Sequence, residues 1–343
     1  MISMFDSRLV RGAAIVCVGI TLSGCYYMQA ARGQLDVMQK SEPIPDVVDA
    51  SDTPKELSRR LKLVEQARDY SISELGLPDN DSYRSYADLE RDYVVWNVFA
   101  APEFSLELKT WCFPVAGCVS YRGYFSEEAA RREATKLEEQ GFDVAVGGIA
   151  AYSTLGRFND PVLSTMMHWQ DEDLIATMFH ELAHQVLYVK GDTEFNESFA
   201  TVVEEVGIER WLQSQGQKGE FLAYRDRRDF RRGVVTQVAA AGASLQQLYV
   251  TRIAPEEMRR RKSRQFEVLS DDLRRSFERS GRDTPQWVSE DLDNARVASM
   301  ALYQQRVPEF RELLSNCDGD LVCFYEKAAE LSKGLLERSS ERD

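Results

Sequence analysis

The apolar and polar positions along the chain set strands first and helices afterwards. Tyr93 to Ala100, Ser105 to Leu108, Val119 to Tyr124 and Val144 to Ala150 are rich in β-branched and aromatic residues and are expected as strands. Helical periodicity frames them. Thr53-Pro54-Lys55-Glu56 has the form of a capping box, with threonine at N-cap, proline at N1 and glutamate at N3, and it opens a helix that buries Leu57, Leu61 and Val64. Ser126 to Gln140 is a second helix, ended by Gly141. From Asp171 to Lys190 the stripe of Leu174, Met178, Leu182 and Val186 predicts a third, and Gly191 suits the left-handed position that closes a helix. Another run starts near Glu194 and continues through Phe199, Val203, Val206 and Trp211, after which the chain is mostly helical. The expectation is an α+β fold in one domain over residues 53–340, with an α/β part to about 170 and a helical part from about 171. Gln29 to Asp52, polar and carrying Pro43 and Pro45, is expected to be a tether.

The third helix carries the chemistry. His180 and His184 stand four residues apart in Thr177-Met178-Phe179-His180-Glu181-Leu182-Ala183-His184, so both imidazoles leave one helix face a turn apart and can chelate one ion, the H-E-x-x-H arrangement of zinc hydrolases. The chain has three histidines, and two fall here; His168, before Trp169, is expected as a surface or packing histidine rather than a ligand. A catalytic Zn²⁺ takes a third protein ligand and leaves its fourth position to water. Glu197 is the candidate, because two helices joined by a short turn must pack together and return it towards the histidines. Zn²⁺ would then lower the pKa of its water to about 7 and polarise a scissile carbonyl. Glu181 would accept the water proton and pass it to the leaving amine. A second electrophile for the oxyanion is expected at Tyr249 or Tyr303, and a carboxylate for a substrate amine at Glu194 or Glu204.

At these residues the chain resembles the gluzincin metallopeptidases, in which the third ligand is the glutamate of an N-E-x-x-A helix, here Asn196-Glu197-Ser198-Phe199-Ala200. Twelve residues separate His184 from Glu197, a shorter spacing than in thermolysin-like and alanyl-aminopeptidase-like members, and one that speaks against their substrate-binding insert. Trp111-Cys112-Phe113-Pro114, Ala151-Tyr152-Ser153-Thr154-Leu155-Gly156, Asp160 to Thr165 and Leu292-Asp293-Asn294-Ala295 are similar to a family of bacterial aminopeptidase lipoproteins, from about Cys25 to near Glu330. That resemblance implies a zincin-like fold, with a small sheet ahead of the H-E-x-x-H helix, and cleavage of N-terminal residues from peptides. It makes the helix carrying Asn294 a wall of the active site. Zincins grip peptide by main-chain pairing on an edge strand, and Tyr152, Ser153, Thr154, Leu155 and Gly156 are the candidates for that edge or the loop beside it, against a plain loop that seats Tyr152 in the core. Envelope endopeptidase and catalytically silent scaffold are the alternative functions; an intact Glu181 argues against the second.

The first 24 residues carry Arg8 and Arg11 ahead of an apolar run from Ala13 to Leu22, too short to span a bilayer and read as a cleaved secretory signal. Leu22-Ser23-Gly24-Cys25 resembles a lipobox, which implies diacylation of Cys25, anchoring in the membrane and, with Tyr26 rather than aspartate following, the outer membrane facing the periplasm. Of the other cysteines Cys17 leaves with the signal. Cys112, Cys118, Cys317 and Cys323 then allow three pairings, of which the local Cys112–Cys118 and Cys317–Cys323 are favoured in an oxidising compartment. The net charge, −14 for the whole chain and about −15 without residues 1–24, excludes nucleic acid as a natural partner. Peptide or protein substrate and the membrane remain.

Overall fold

The structure, a computed structural model, describes residues 26–113, 117–290, 292–301 and 306–340. Residues 26–39 form helix α1, followed by strand β1 (Ser41–Pro43) and the short helix α2 (Ile44–Asp49). The stretch expected as a tether is therefore folded. Val37 and Ile44 have no exposed surface, and Gly33 admits the ring of Phe125 so closely that a Cβ there would lie 2.0 Å from its Cγ.

Helix α3 (Lys55–Ser73) exists without the expected capping box. Pro54 occupies the N-cap position, and the Thr53 hydroxyl donates instead to the carbonyl of Val47 at 2.6 Å, tying α3 to α2. The α3 stripe of Leu61, Val64 and Ala67 is buried as the periodicity requires. Buried Arg68 donates to the carbonyls of Ser82, Pro78 and Asn80 and so shapes the loop that leads to β2 (Ser85–Ala87).

Strand β3 (Val95–Pro102) is the centre of the larger sheet. The hairpin β4 (Trp111–Phe113) and β5 (Gly117–Val119), strand β6 (Arg122–Tyr124), helix α4 (Glu127–Glu138), strand β7 (Phe142–Ile149) and strand β8 (Val162–Leu163) follow. Sheet order is β6-β3-β7, antiparallel, with Val98 opposite Val146; β1-β2-β8 is a second small sheet. Side chains alternate across β3. Val98 and Ala100 pack against Ala130, Ala134 and Leu137 of α4, and Phe99 and Ala101 face Ala145 and Ala295. Two expectations fail locally. Residues 105–108 are irregular, because the chain turns at Pro102–Ser105 and caps itself with the Ser105 hydroxyl. The segment 119–124 is split between two sheets. Ser126 does cap α4, accepting from the Ala129 N–H, and Gly141 follows with φ +84°.

After a single 3₁₀ turn (Ser164–Met166) the rest is helical: α5 (Asp171–Val186), α6 (Thr193–Ser214), α7 (Lys218–Tyr249), α8 (Pro255–Ser280), α9 (Trp287–Glu290), α10 (Asn294–Ala301), α11 (Val307–Ser315) and α12 (Leu321–Ser340). The largest core joins α3, α5, α6, α11 and α12. Disulfides Cys112–Cys118, across the β4–β5 hairpin, and Cys317–Cys323, at the α11–α12 turn, form as the local pairing predicts. No described helix is long and apolar enough to cross a membrane.

Candidate metal centre

Helices α5 and α6 form the centre, and the link between them is held by one side chain. Asn196 accepts from the N–H of Val189 at 2.7 Å and donates to its carbonyl at 2.8 Å. This clamp draws residues 187–189 into an extended path, so α5 ends at Val186 rather than Lys190, and Gly191 (φ +84°) belongs to the turn into α6. Asp192 caps α6 by accepting from the Phe195 N–H at 2.9 Å. The two helices then lie very close. A Cβ on Gly207 of α6 would stand 2.8 Å from Phe179 of α5 and 2.9 Å from Leu75. Beneath α6, Phe199 stacks on Phe324, and Phe195 meets Phe310 edge-on, a buried aromatic base that fixes the rotation of the helix carrying Glu197.

That rotation brings the predicted residues together. Glu197 Oε2 lies 3.3 Å from His180 Nε2 and its Oε1 3.7 Å from His184 Nε2. One donor atom from each of the three residues falls within 4.8 Å of the others. Two nitrogens or oxygens on a tetrahedral zinc ion stand about 3.3 Å apart, so the His180 contact matches that spacing and the His184 contact, made by the other carboxylate oxygen, is modestly longer. The donor chemistry fits as well. Glu204, seven residues after Glu197 and so on the same face of α6, lies 3.0 Å from His180 Nδ1 and accepts from the Tyr224 hydroxyl at 2.9 Å. With the Nδ1 proton held by Glu204, the lone pair of His180 is on Nε2, towards Glu197. His184 Nδ1 is buried with no hydrogen-bond partner among the described residues. His180, His184 and Glu197 could therefore hold a metal ion.

Electrostatics favour positive charge at this point. Burial pulls His180 down, but the carboxylates of Glu197 and Glu204 on its two nitrogens outweigh it and hold the imidazole well above its ordinary value. Glu197 is held below the usual carboxylate value, burial being overcome by His180 and His184. Burial lowers His184 to about 4, which keeps it neutral with a lone pair to offer. Glu181 is pushed up to about 7, chiefly by burial; His180 opposes the rise and Glu197, Asp160 and Glu204 add to it. A carboxyl poised near neutrality can both take and give a proton.

The remaining predicted residues are distributed unevenly. The loop 152–156 runs beside the end of α5. Gly156, at φ +72°, leaves room for Gln185, and the Thr154 N–H donates to buried Asp160 at 2.9 Å with the Ser153 hydroxyl at 3.5 Å from the same oxygen. Leu155 holds φ +57°, and the Tyr152 hydroxyl donates to Gln34 of α1. The loop follows β7, an edge strand of its sheet. Asn294 and Tyr249 meet elsewhere: the Tyr249 hydroxyl donates to Asn294 Oδ1, and Asn294 donates to the carbonyls of Pro102 and Glu103 at the end of β3, where the acids near Tyr249 are Asp143, Asp293 and Glu103. Glu194 has Asp192, Arg306 and Glu309 as its charged neighbours, and Glu204 is already occupied by His180 and Tyr224. Tyr303 and Cys25 lie outside the described residues. His168 is exposed, as expected.

Two tyrosines beside the centre escape a reading by motif. Tyr188 is four residues past His184, its ring 6.4 Å from that imidazole, and its hydroxyl is raised by burial and by Glu197. Tyr121 is raised by burial and then by Glu197, Tyr188 and Glu181. The four-residue step from His184 was a visible signal for Tyr188; Tyr121 reaches the site through tertiary packing and had none.

Residues 25–342 match the family model described as "Putative aminopeptidase", and the chain belongs to that family. No curated protein and no solved structure matches it. The family description points to peptidase activity.

Proposed function

We propose that this member of the family is a zinc aminopeptidase of zincin-like fold, anchored by lipid at Cys25 in the bacterial outer membrane and facing the periplasm. The observation that carries the enzymatic reading is the convergence of His180, His184 and Glu197 with Glu181 beside them, near neutrality in its protonation. A zinc ion there would supply Lewis-acid polarisation of the scissile carbonyl and an acidified water. His180 and His184 would hold it through Nε2 and Glu197 through a carboxylate oxygen, with Glu204 fixing the tautomer of His180. Glu181 takes the proton of the attacking water and delivers it to the leaving amine. Oxyanion stabilisation is assigned to Tyr188, whose ring lies 6.4 Å from that of His184, with Tyr121, in the field of Glu197, as the alternative.

The envelope reading draws support from the two disulfides, which suit an oxidising compartment. It also draws on α1, which turns Tyr27, Met28, Leu35 and Met38 outward on the helix that follows Cys25, as a helix lying at a lipid surface does.

The test uses protein beginning at Tyr26, measured for bound metal and for hydrolysis of free-amine and N-blocked peptides. One zinc per chain, turnover of free-amine peptides alone, and a loss of about 10²–10⁴-fold in Glu181→Gln are expected. Cleavage of blocked peptides would make the protein an endopeptidase, and zinc without turnover would make it a scaffold.

A further inference from the structure

Beside Glu204, whose carboxylate lies 3.0 Å from His180 Nδ1, a cavity of about 660 Å³ opens between α5, α6 and α7. Thr177 of α5 and Thr201 and Glu204 of α6 line one side of it, and Arg228 and Arg231 of α7 line the other. Thr177 precedes His180 by three residues and Thr201 follows Glu197 by four, so each shares a helix face with a metal-holding residue. At 1.5 Å per residue, Thr177 lies about 5–10 Å along α5 from His180 and His184. Glu181 is four residues, about 6 Å, along α5 from Thr177, a span that an extended peptide covers in about two residues at about 3.3 Å each.

The cavity has more cationic donors than its own acids can use. Glu204 is taken by His180 and Tyr224; Glu205 accepts from Arg232 at 3.0 Å and from Arg311 at 2.6 Å; Asp173 accepts from Arg227 at 3.0 Å. Arg228 has a buried Nε with no hydrogen-bond partner among the described residues, and its nearest carboxylate oxygens are 3.7 Å away on Glu205 and 3.5 Å on Asp229. Among the described residues Arg231 makes one side-chain hydrogen bond, 3.3 Å to Asp173, stands in the field of Glu204, and has a side chain 55% exposed. Four arginines line this cavity in a chain of net charge −14, so the local reversal of sign is not a reflection of composition. Two adjacent guanidinium groups with free N–H donors match a planar carboxylate, which takes two parallel hydrogen bonds from each fork.

We propose that this cavity is a carboxylate subsite of the same active centre, holding the C-terminal carboxylate or an acidic side chain of a short peptide one to two residues from the bond cleaved. The inference rests on the peptidase reading for its role in turnover, and on Arg228 and Arg231 for its ligand. It makes the preferred substrates short or acidic peptides.

The kinetic test compares three free-amine peptides: Leu-Ala-Ala, its C-terminal amide, and Leu-Ala-Glu amide. The free acid is expected to exceed the amide at least tenfold in kcat/KM, with that ratio falling towards one in Arg228→Gln and Arg231→Gln and partly restored in Arg231→Lys. Preference for Leu-Ala-Glu amide over the plain amide would assign the side chain as a source of the carboxylate; preference for the free acid alone would assign the C-terminus. An acid-to-amide ratio near one for both acidic peptides, or variants that lower all substrates equally, overturns the proposal. A binding arm separates it from the peptidase reading. Glutarate, titrated calorimetrically into the Glu181→Gln chain, is expected to bind and to lose at least tenfold in affinity in Arg231→Gln, whose exposed side chain can be replaced without disturbing the core. Glutarate binding without any peptide turnover would sustain the carboxylate site and sink the peptidase reading. Turnover with neither glutarate binding nor acid preference would sink the subsite alone.

Discussion

Helices α5 and α8 are both rich in charge, and they use it in opposite ways. On α5 the polar side chains reach other elements: Asp171 to Arg59 on α3, Glu172 and Asp173 to Arg227 on α7, and His180 to Glu204 on α6. Its apolar residues are buried nearly all round, including Leu174, Ile175, Met178, Phe179 and Leu182. On α8 the buried stripe is narrow, Met258, Leu269, Leu273 and Phe277. Apart from Arg259 and Lys262, which reach Glu103 and Asp143, its ion pairs lie within the helix at three or four residues' spacing, as in Glu257 with Arg261, Arg264 with Glu267 and Asp271 with Arg274. A tertiary pair fixes where a helix sits; a pair inside one helix fixes almost nothing beyond its own turn. The two histidines that could hold a metal ion are on the first kind of helix, as a chelate that needs its donors held to fractions of an ångström requires.

The contrast predicts graded sensitivity. The largest effect should come from the aromatic base of α6. Phe199→Ala empties a fully buried site between Phe310, Phe324 and Tyr325 and is expected to cost about 3–5 kcal/mol in urea unfolding. A loss below about 1 kcal/mol would mean that the base can collapse and does not set the rotation of α6. Next, Glu204→Gln keeps the volume but weakens the hold on His180 Nδ1. Zinc affinity measured by chelator competition should fall about 10–100-fold, equivalent to about 1.4–2.7 kcal/mol. Affinity unchanged within about threefold would show that His180 is oriented without its carboxylate partner. Gly207→Ala tests the closeness of the two helices, since its methyl group must displace Phe179 and Leu75; about 1–3 kcal/mol of destabilisation is expected, read as a lower urea midpoint.

What the sequence revealed follows the same division. The meeting of His180, His184 and Glu197 was legible because the histidine pair is a local helix periodicity and the third residue follows a short link. The local disulfides and the helix expected over 126–140 were legible for the same reason. Thr53 met every local condition of a capping box, yet its hydroxyl bonds Val47, a contact that depends on where α2 lies. The end of α5 was misplaced because Asn196, on the next helix, claims both backbone groups of Val189. Residues 29–52 looked like a tether because the stretch is polar and carries two prolines, but Val37 and Ile44 within it are completely buried. Glu204 could have been found seven residues beyond Glu197 on the same helix face. Tyr121 could not, because only the packing of the sheet against the helix pair brings it near.

The smallest expected effect is the sharpest check on the comparison. Arg264 on α8 is 3.1 Å from Glu267, a good distance for an ion pair, but the two side chains are 74% and 59% exposed. Water competes for both charges, and holding two long side chains in one geometry costs rotamer freedom, so such pairs contribute about 0.2–0.5 kcal/mol. Arg264→Ala should therefore change urea stability by less than about 0.5 kcal/mol, and salt should remove even that. Zinc binding should be untouched, because among the described residues no hydrogen bond or ion pair runs from Arg264 or Glu267 to α5 or α6. A loss above about 1 kcal/mol, or any change in zinc stoichiometry, would mean that α8 transmits its own order to the metal centre through the α7–α8 contact, and the division between locally and tertiarily paired helices would fail.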